Sequence, residues 1–160
     1  VLAFRTGNPD NPVNAIPPRA RATCQIRYTV GVDPAQFLDV LRAHLDAHRL
    51  SMVTLSQARK GFANATRLDP DHPWARFCDA SLARSTNKKT AVLPSLGGTL
   101  PNDVFADDLG LPTVWVPHSY TGCNQHAPNE HMLVPVAREA LRLMAGLFWD
   151  LGEPGTPASG

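Results

Sequence analysis

The N-terminal part of the chain carries the pattern of two paired strands separated by a long loop. Residues 1–5 are mainly apolar, and residues 6–18 are rich in glycine, asparagine and proline, which favour turns and loops. Residues 19–28 alternate with a period of two, which predicts a strand with one buried face. Its apolar positions are Ala20, Ala22, Cys24, Ile26 and Tyr28. Together the two segments predict a wide hairpin.

A helix is predicted next from its start signals. Asp33 is a good N-cap, Pro34 suits the first helical position, and Gln36 completes a capping box. Residues 50–56 then predict a third strand, so three antiparallel strands with one helix on a face make a small α+β sandwich. The helix is expected to end near His48, and its apolar stripe contains Phe37, Leu38, Leu41 and Leu45.

The second half alternates between helical and strand-like segments. Residues 57–70 are polar and mark the predicted domain boundary. The pattern then predicts a helix from residue 71, a strand at 90–95, a tight turn at 96–101, a short helix at 102–109 stopped by Gly110, and a buried parallel strand at 113–117. This order is typical of part of an α/β sheet.

A long amphipathic helix closes the pattern. It begins at Pro135 and is ended by Gly152 and Pro154. The remaining tail, residues 154–160, consists of small residues and is predicted to be disordered. The apolar stripe of the helix contains Ala137, Ala140, Leu141, Met144, Phe148 and Leu151.

Composition and charge limit the classes of molecule that this chain is expected to bind. The 160 residues are 43% hydrophobic and carry a formal charge of +1 without a block of like charges, which argues against a nucleic-acid or membrane surface. Three widely spaced cysteines do not suggest a disulfide framework, and no signal peptide or membrane span is recognisable. We therefore expect a cytoplasmic protein. Because the chain opens with Val1 in a strand-like run, we expect a piece of a longer protein.

The loop at residues 122–131 concentrates the candidate chemistry. It lies between a strand-like run and the last helix, a position where function is often placed. His126 can serve as a metal ligand, and Glu130 can orient a ring or bind a substrate group; the alternative is a solvated loop histidine. His131 and His118 are interpreted as supporting or structural. Because no HExxH or paired-cysteine motif is present, a zinc site built by this chain alone is not predicted.

Other candidate contacts are individually ambiguous. Gly97, Gly98 and Thr99 can arrange backbone N–H groups and a hydroxyl around a carboxylate, although a plain turn needs the glycines too. Arg27, at the end of the polar face of its strand, suits a substrate carboxylate or simply solvent. Asn14 either binds substrate or forms a turn.

Three segments together carry a family resemblance. They are NAIPPRA at 14–20 running on to Ile26 and Arg27, LGGTLPND at 96–103, and the stretch from 117 through HAPNE at 126–130. In this order the chain resembles the C-terminal half of the zinc aminopeptidase, carboxypeptidase and deacylase family. That family includes acetylornithine deacetylase, succinyl-diaminopimelate desuccinylase, aminoacylase and carnosine dipeptidase. The resemblance covers residues 1–153.

The resemblance implies an α/β protein in two parts. Residues 1–66 correspond to the latter part (β-β-α-β) of a ferredoxin-like lid domain, which commonly dimerises. Residues 67–153 correspond to the return into an α/β catalytic domain. The segment Leu100-Pro101 after Thr99 favours the dipeptidase-like branch.

The same resemblance assigns roles to individual residues. His126 corresponds to the last ligand of a two-zinc site, in which cobalt or manganese can substitute, with Glu130 in support. Asn14 and Arg27 correspond to lid residues that grip the substrate carboxylate. The substrate-backbone clamp corresponds to Gly97, Gly98 and Thr99.

Several metal-binding and catalytic motifs of the family are missing from this chain. The family's His-x-Asp motif, its Glu-Glu pair with the general base, the remaining metal carboxylate and the lid histidine lie upstream of this chain. Two-metal hydrolysis needs both ions held ~3.5–4 Å apart. We therefore expect the parent protein to be a homodimeric zinc amide hydrolase whose metal-activated water attacks a small peptide or N-acyl amino acid, and this chain alone to be inactive.

Two alternatives remain open from the sequence. The chain can be a non-catalytic dimerisation or binding module that associates through an edge strand and a helix. It can also be a thiol enzyme that uses Cys123, although the loop offers no third group to orient a base. Metal-binding motifs in the gene upstream of Val1 would favour the hydrolase over the non-catalytic module. Full activity of a Cys123→Ala variant would exclude the thiol enzyme.

Overall fold

The structure, a computed structural model, describes residues 1–58 and 63–158. It divides into two compact units, Val1–Ala65 and Thr66–Gly160. The predicted boundary segment at 57–70 includes residues 59–62, which lie outside the described residues. The assignment of the two parts to a lid and a catalytic domain stays a prediction.

A two-stranded antiparallel ribbon opens the first unit. Strand β1 (Ala3–Thr6) pairs with β2 (Ala20–Thr23), with Ala3 opposite Thr23. The predicted hairpin is therefore confirmed, but β2 ends five residues before the predicted end at Tyr28. Nearly all positions of both strands are exposed. Since an isolated two-stranded ribbon is marginally stable in water, this sheet depends on further contacts.

The helix of the first unit starts as its capping signals predict. A 3-10 turn, Pro34–Gln36, leads into helix α1 (Phe37–Ala47), and the Asp33 carboxylate accepts the Ala35 N–H at 2.9 Å. The Gln36 amide donates to the same carboxylate at 2.9 Å and not to a backbone group, so the predicted capping box is wrong in this detail. The Gln36 and Ala35 hydrogen bonds lower the pKa of Asp33.

The third predicted strand, at 50–56, is absent from the structure. Arg42 on α1 donates to the carbonyls of Val53 and Leu50 and pairs with Asp46 at 2.8 Å. The Val53 N–H returns to Leu50 O at 3.1 Å. Residues 50–53 form a turn that is hydrogen-bonded to α1, because their backbone groups pair with Arg42 and with each other and not with a neighbouring strand. The β-β-α-β order of a lid is thus not completed within the described residues.

Two helices form the body of the second unit. Helix α2 (Pro73–Thr86) packs against helix α3 (Val134–Asp150). The helices approach closely at Gly146, where an added Cβ would lie 2.0 Å from Ser85 Oγ. Arg84 pairs with Asp150 at 2.7 Å, and Lys88 also pairs with Glu139. Both helices confirm the sequence prediction.

The strands predicted at 90–95 and 113–117 are not formed. Within residues 1–58 and 63–158, the ribbon of β1 and β2 is the sheet that the structure contains. A buried parallel strand needs partners for its backbone N–H and C=O groups, and the described residues supply no adjacent strand. The helix predicted at 102–109 is a π-helical segment, Val104–Asp108, and Gly110 follows with a left-handed φ of 64°. The structure shows mixed α and β elements and not an α/β sheet.

Little of the chain is buried. The solvent-accessible surface is 13,246 Å². A compact 17.3 kDa monomer exposes about 7,800 Å², and two separate halves of that mass about 9,400 Å². In the described ranges, the buried residues are Cys78, Cys123 and Ser81.

The outer face of α3 contributes much of this exposed surface. Leu141, Phe148 and Trp149 are 72%, 69% and 74% exposed. Leu141 and Phe148 were predicted to lie in the apolar stripe facing a core, and that prediction is wrong within this chain because α2 covers only the opposite side of the helix. No helix of the described part is long and apolar enough to cross a membrane.

The chain beyond α3 folds back on the helix end. The Thr156 hydroxyl lies 2.9–3.3 Å from the carbonyls of Asp150, Leu151 and Glu153, and its single proton can be donated to one of them, the shortest contact being that to Glu153 O. The first part of the tail predicted to be disordered is therefore placed by hydrogen bonds. Its last two residues, 159 and 160, lie outside the described residues.

Candidate functional site

The candidate site is the loop between residue 117 and α3. A short 3-10 turn, Thr121–Cys123, opens it, and the loop borders a cleft of about 320 Å³. Such a volume is at the lower end of the range for small-molecule sites. The cleft is lined by His118, Ser119, Tyr120, Cys123, Gln125, Glu130, His131 and Met132.

His126 lies at the exposed tip of this loop. Its backbone has a left-handed φ of 63°, which is uncommon for a residue with a side chain. Its N–H donates to Glu130 Oε2 at 3.3 Å. Glu130 thus supports His126 through the backbone and not by orienting its ring. His126 is not among the residues that line the cleft.

The predicted clamp turn is held from one side by an aromatic ring. A Cβ on Gly98 would lie 2.7 Å from Trp115 Cζ3, whereas one on Gly97 would meet nothing within 4 Å. Thr99 is exposed beside them. The Trp115 indole N–H donates to Asn102 Oδ1 at 3.0 Å. Trp115 lies in the strand predicted to be buried at 113–117, but it is 36% exposed. Its contact with Gly98 was not predicted, because no local sequence pattern links positions 17 residues apart.

The two predicted carboxylate contacts belong to the first unit. Asn14 is exposed in a bend, where Ala15 N–H returns to Val13 O at 2.9 Å. Arg27 is exposed after the end of β2. His126 and the glycine turn belong to the second unit.

The residues present do not form a metal centre by themselves. Among residues 1–58 and 63–158 there is no group of three or more His, Cys, Asp or Glu side chains placed to hold an ion. Zinc in proteins takes at least three protein ligands, so these described residues do not supply a complete zinc site.

The buried cysteines are poorly suited to nucleophilic chemistry. Cys78 is buried on α2, and burial raises the pKa of its thiol. Cys123 is 8% exposed and lies in the wall of the cleft. A reactive thiolate needs a lowered pKa, which Cys78 lacks, and access to solvent, which is small for both cysteines.

The fold is similar to part of a solved metallo-carboxypeptidase. The M20 family metallo-carboxypeptidase of Sulfolobus solfataricus matches with a TM-score of 0.73 and 21% sequence identity. The match covers 91% of this chain and 33% of the solved chain, so this chain spans about one third of the length of the protein it resembles. No protein-family model and no curated protein sequence matches the chain. The resemblance inferred from the sequence motifs is confirmed at the level of the fold.

Proposed function

We propose that this chain is part of a zinc-dependent amide hydrolase that acts on small peptides or N-acyl amino acids. His126 supplies one metal ligand, supported by Glu130, and Arg27 and Asn14 bind the substrate carboxylate. Homodimerisation through the first unit and a cytoplasmic location belong to the same proposal. The turn proposed to hold the substrate backbone contains Gly97, Gly98 and Thr99.

The observation that carries this proposal is the fold match. Nearly the whole chain, 91%, superposes on one third of a metallo-carboxypeptidase. The motif order in the sequence points to the same class of enzyme independently of the coordinates. Fold alone does not give function, so the residue roles rest on the motifs.

The described residues limit what this chain does in such an enzyme. It offers one well-exposed imidazole at a loop tip, but no cluster that completes a zinc site. It also offers no carboxylate assigned as general base. The remaining ligands and the base therefore come from further polypeptide, and this chain binds and orients without performing the reaction alone.

The exposed apolar surface supports a larger protein. Helix α3 has apolar residues on the side that faces α2 and on the opposite side, where Leu141 and Phe148 are exposed. A helix that is apolar on both sides is typical of the interior of a large protein. Additional polypeptide that covers this face would complete the fold and bring the missing ligands.

Metal analysis and hydrolysis assays on the complete gene product test the proposal. We expect His126→Ala to remove about one zinc per subunit and to lower kcat/KM for N-acyl amino acids by at least about 100-fold, since second-shell losses alone already cost 10–100-fold. His48→Ala changes an exposed histidine directly after the end of α1; it is the control and should change neither value. Full activity of His126→Ala, or tight stoichiometric zinc in the isolated chain, would contradict the proposal.

A second candidate function is assembly without catalysis. The exposed β1–β2 ribbon offers free strand edges, and Val40 on α1 is 62% exposed. Both features suit strand or helix pairing with another copy. Sedimentation of the isolated first unit distinguishes the two functions when combined with the upstream gene sequence. If the first unit is a dimer and the gene encodes no metal-binding motifs upstream of Val1, assembly without catalysis is favoured.

A further inference from the structure

Two side chains close the loop that carries His126. We propose that Tyr120 and His131 are a positioning pair that fixes the conformation of residues 120–131, and with it the direction in which His126 is presented. The effect of this pair on metal binding by His126 rests on the proposed function. Its effect on the loop conformation does not.

His131 is tied to the loop at three points. Its backbone N–H donates to Cys123 O at 3.0 Å, its ring Nδ1 lies 2.8 Å from Asn129 O, and its Nε2 lies 2.6 Å from the Tyr120 hydroxyl. A carbonyl only accepts hydrogen bonds, so Nδ1 carries the proton. In the neutral ring Nε2 then accepts, and the Tyr120 O–H donates to it. Both ring nitrogens are engaged inside the loop, which sets His131 apart from His126.

Tyr120 is held in place by the backbone beneath it. A Cβ on Gly122 would lie 2.7 Å from Tyr120 Cε2, so the glycine leaves room for the ring. The Tyr120 and His131 rings meet edge to face, with centroids 5.8 Å apart and planes at 72°. Gly122, Tyr120 and His131 therefore form a continuous contact across the base of the loop.

The loop backbone needs such a closure. Asn124, His126 and Asn129 have left-handed φ values of 55°, 63° and 63°. Asparagine adopts this conformation readily, but histidine less so. Backbone of this kind persists where the surroundings over-determine it. We infer that the loop-closing contacts of His131, together with the hydrogen bond from the His126 N–H to Glu130, keep His126 in an uncommon conformation.

The accessibility of Cys123 reports on the loop. The residue is 8% exposed, it lines the cleft together with Tyr120, and its carbonyl accepts from the His131 N–H. Opening the loop should expose the thiol without unfolding α2, which carries Cys78. Cys78 therefore serves as an internal reference for global unfolding.

The test compares two tyrosine variants of the full chain in a Cys24→Ser background, which removes the exposed cysteine. We expect Tyr120→Phe to accelerate alkylation of Cys123 by iodoacetamide about 2- to 10-fold, the range for loss of one net hydrogen bond, with Cys78 unchanged. Tyr28→Phe is the matched control, since it removes a hydroxyl that donates to Asn64 Oδ1 at 3.1 Å in the first unit. It should leave Cys123 unchanged.

Two further measurements separate a coupled pair from independent effects. In a His131→Ala background, Tyr120→Phe should add less than about twofold, because coupled residues are non-additive. Nitrogen NMR of the neutral His131 ring should show the proton on Nδ1. A wild-type ring protonated on Nε2, or an unchanged Cys123 rate in Tyr120→Phe, would overturn the proposal. So would equal acceleration of Cys78.

These readouts use neither metal nor substrate. A hydrolase assay that fails on the complete gene product would sink the proposed function and leave the loop pair standing. An unchanged rate of Cys123 alkylation in Tyr120→Phe would overturn the loop pair and leave the proposed function unaffected.

Discussion

The indole ring of Trp115 occupies the space that a side chain on Gly98 would need. A Cβ there would lie 2.7 Å from Cζ3 and 3.2 Å from Cη2 of the ring. Because Asn102 Nδ2 also donates to Thr66 Oγ1 at 2.6 Å, the hydrogen bond from Trp115 to Asn102 ties the turn to the start of the second unit. The two adjacent glycines of this turn are therefore not equivalent.

Gly98→Ala should displace the Trp115 ring and break its hydrogen bond to Asn102. We expect a loss of about 1–3 kcal/mol in the free energy of unfolding, as for other overpacked sites, together with a changed near-UV circular dichroism signal. Gly97→Ala is the matched control, because a methyl group at that position would meet nothing within 4 Å. It should stay within about 0.5 kcal/mol of wild type in urea unfolding. Equal effects of the two variants would show that Trp115 does not restrain the turn.

Gly146→Ala should separate α2 from α3. The new methyl group would meet Ser85 Oγ at 2.0 Å and Ser85 Cβ at 3.2 Å. An overpacking cost of about 1–3 kcal/mol, less a gain of about 1 kcal/mol in helix propensity, gives an expected net loss of up to about 2 kcal/mol. Thermal unfolding of the single variant measures the net loss.

The same clash can be relieved from the other side. In a Ser85→Ala background the contact at 2.0 Å is removed, so Gly146→Ala should cost less than it does in the wild-type background. A double-mutant cycle with a coupling energy near zero would contradict direct contact of these two positions.

The pairing of Asp150 should make stability depend on pH. The Ser81 hydroxyl and then Arg84 hold the pKa of Asp150 below its ordinary value of 3.8. A carboxyl with a lowered folded-state pKa stabilises the fold above the unfolded pKa and loses that contribution as pH falls through the folded value. The difference in unfolding free energy between wild type and Asp150→Asn should be constant above about pH 5 and shrink at lower pH.

Urea titrations of both proteins across this range measure the difference. A difference that grows as the pH falls would have the wrong sign for a lowered pKa.

The outer face of α3 should tolerate charge in the isolated chain. Leu141 is 72% exposed, so Leu141→Glu should change the free energy of unfolding by no more than about 0.5 kcal/mol and reduce binding of a hydrophobic dye. Leu147 is half-buried on another side of the same helix, and Leu147→Glu should destabilise by more than about 1 kcal/mol. Similar losses in both variants would mean that the outer face is covered within the isolated chain.

The sequence predicted local features better than distant ones. The Asp33 cap, α2, α3 and the stop at Gly110 were predicted because their signals lie within a few residues of the element. The strands at 50–56, 90–95 and 113–117 were predicted from apolar runs, but a strand also needs a pairing partner, and periodicity does not show whether one is present.

The same division applies to the candidate site. His126, Glu130 and the glycine turn were identified from motifs, and their roles stay predictions. The contacts between Tyr120 and His131 and between Gly98 and Trp115 join positions 11 and 17 residues apart through the fold. The glycines at 98 and 122 were visible in the sequence, but the aromatic rings that require them were not, because only the folded backbone brings each ring to its glycine.

The large exposed surface also sets the heat capacity of unfolding. An unfolded chain of this mass exposes about 25,100 Å², so a folded surface of 13,246 Å² means that folding removes only about 47%, against about 68–70% for a typical 150-residue domain. Heat capacity changes and denaturant slopes scale with newly exposed surface. For this chain of 160 residues we therefore expect a heat capacity change of unfolding of about 1.3–1.6 kcal/mol/K. A typical domain of the same length would have about 1.9–2.4 kcal/mol/K. The isolated chain should consequently have a flat stability curve, with weak dependence on both temperature and urea.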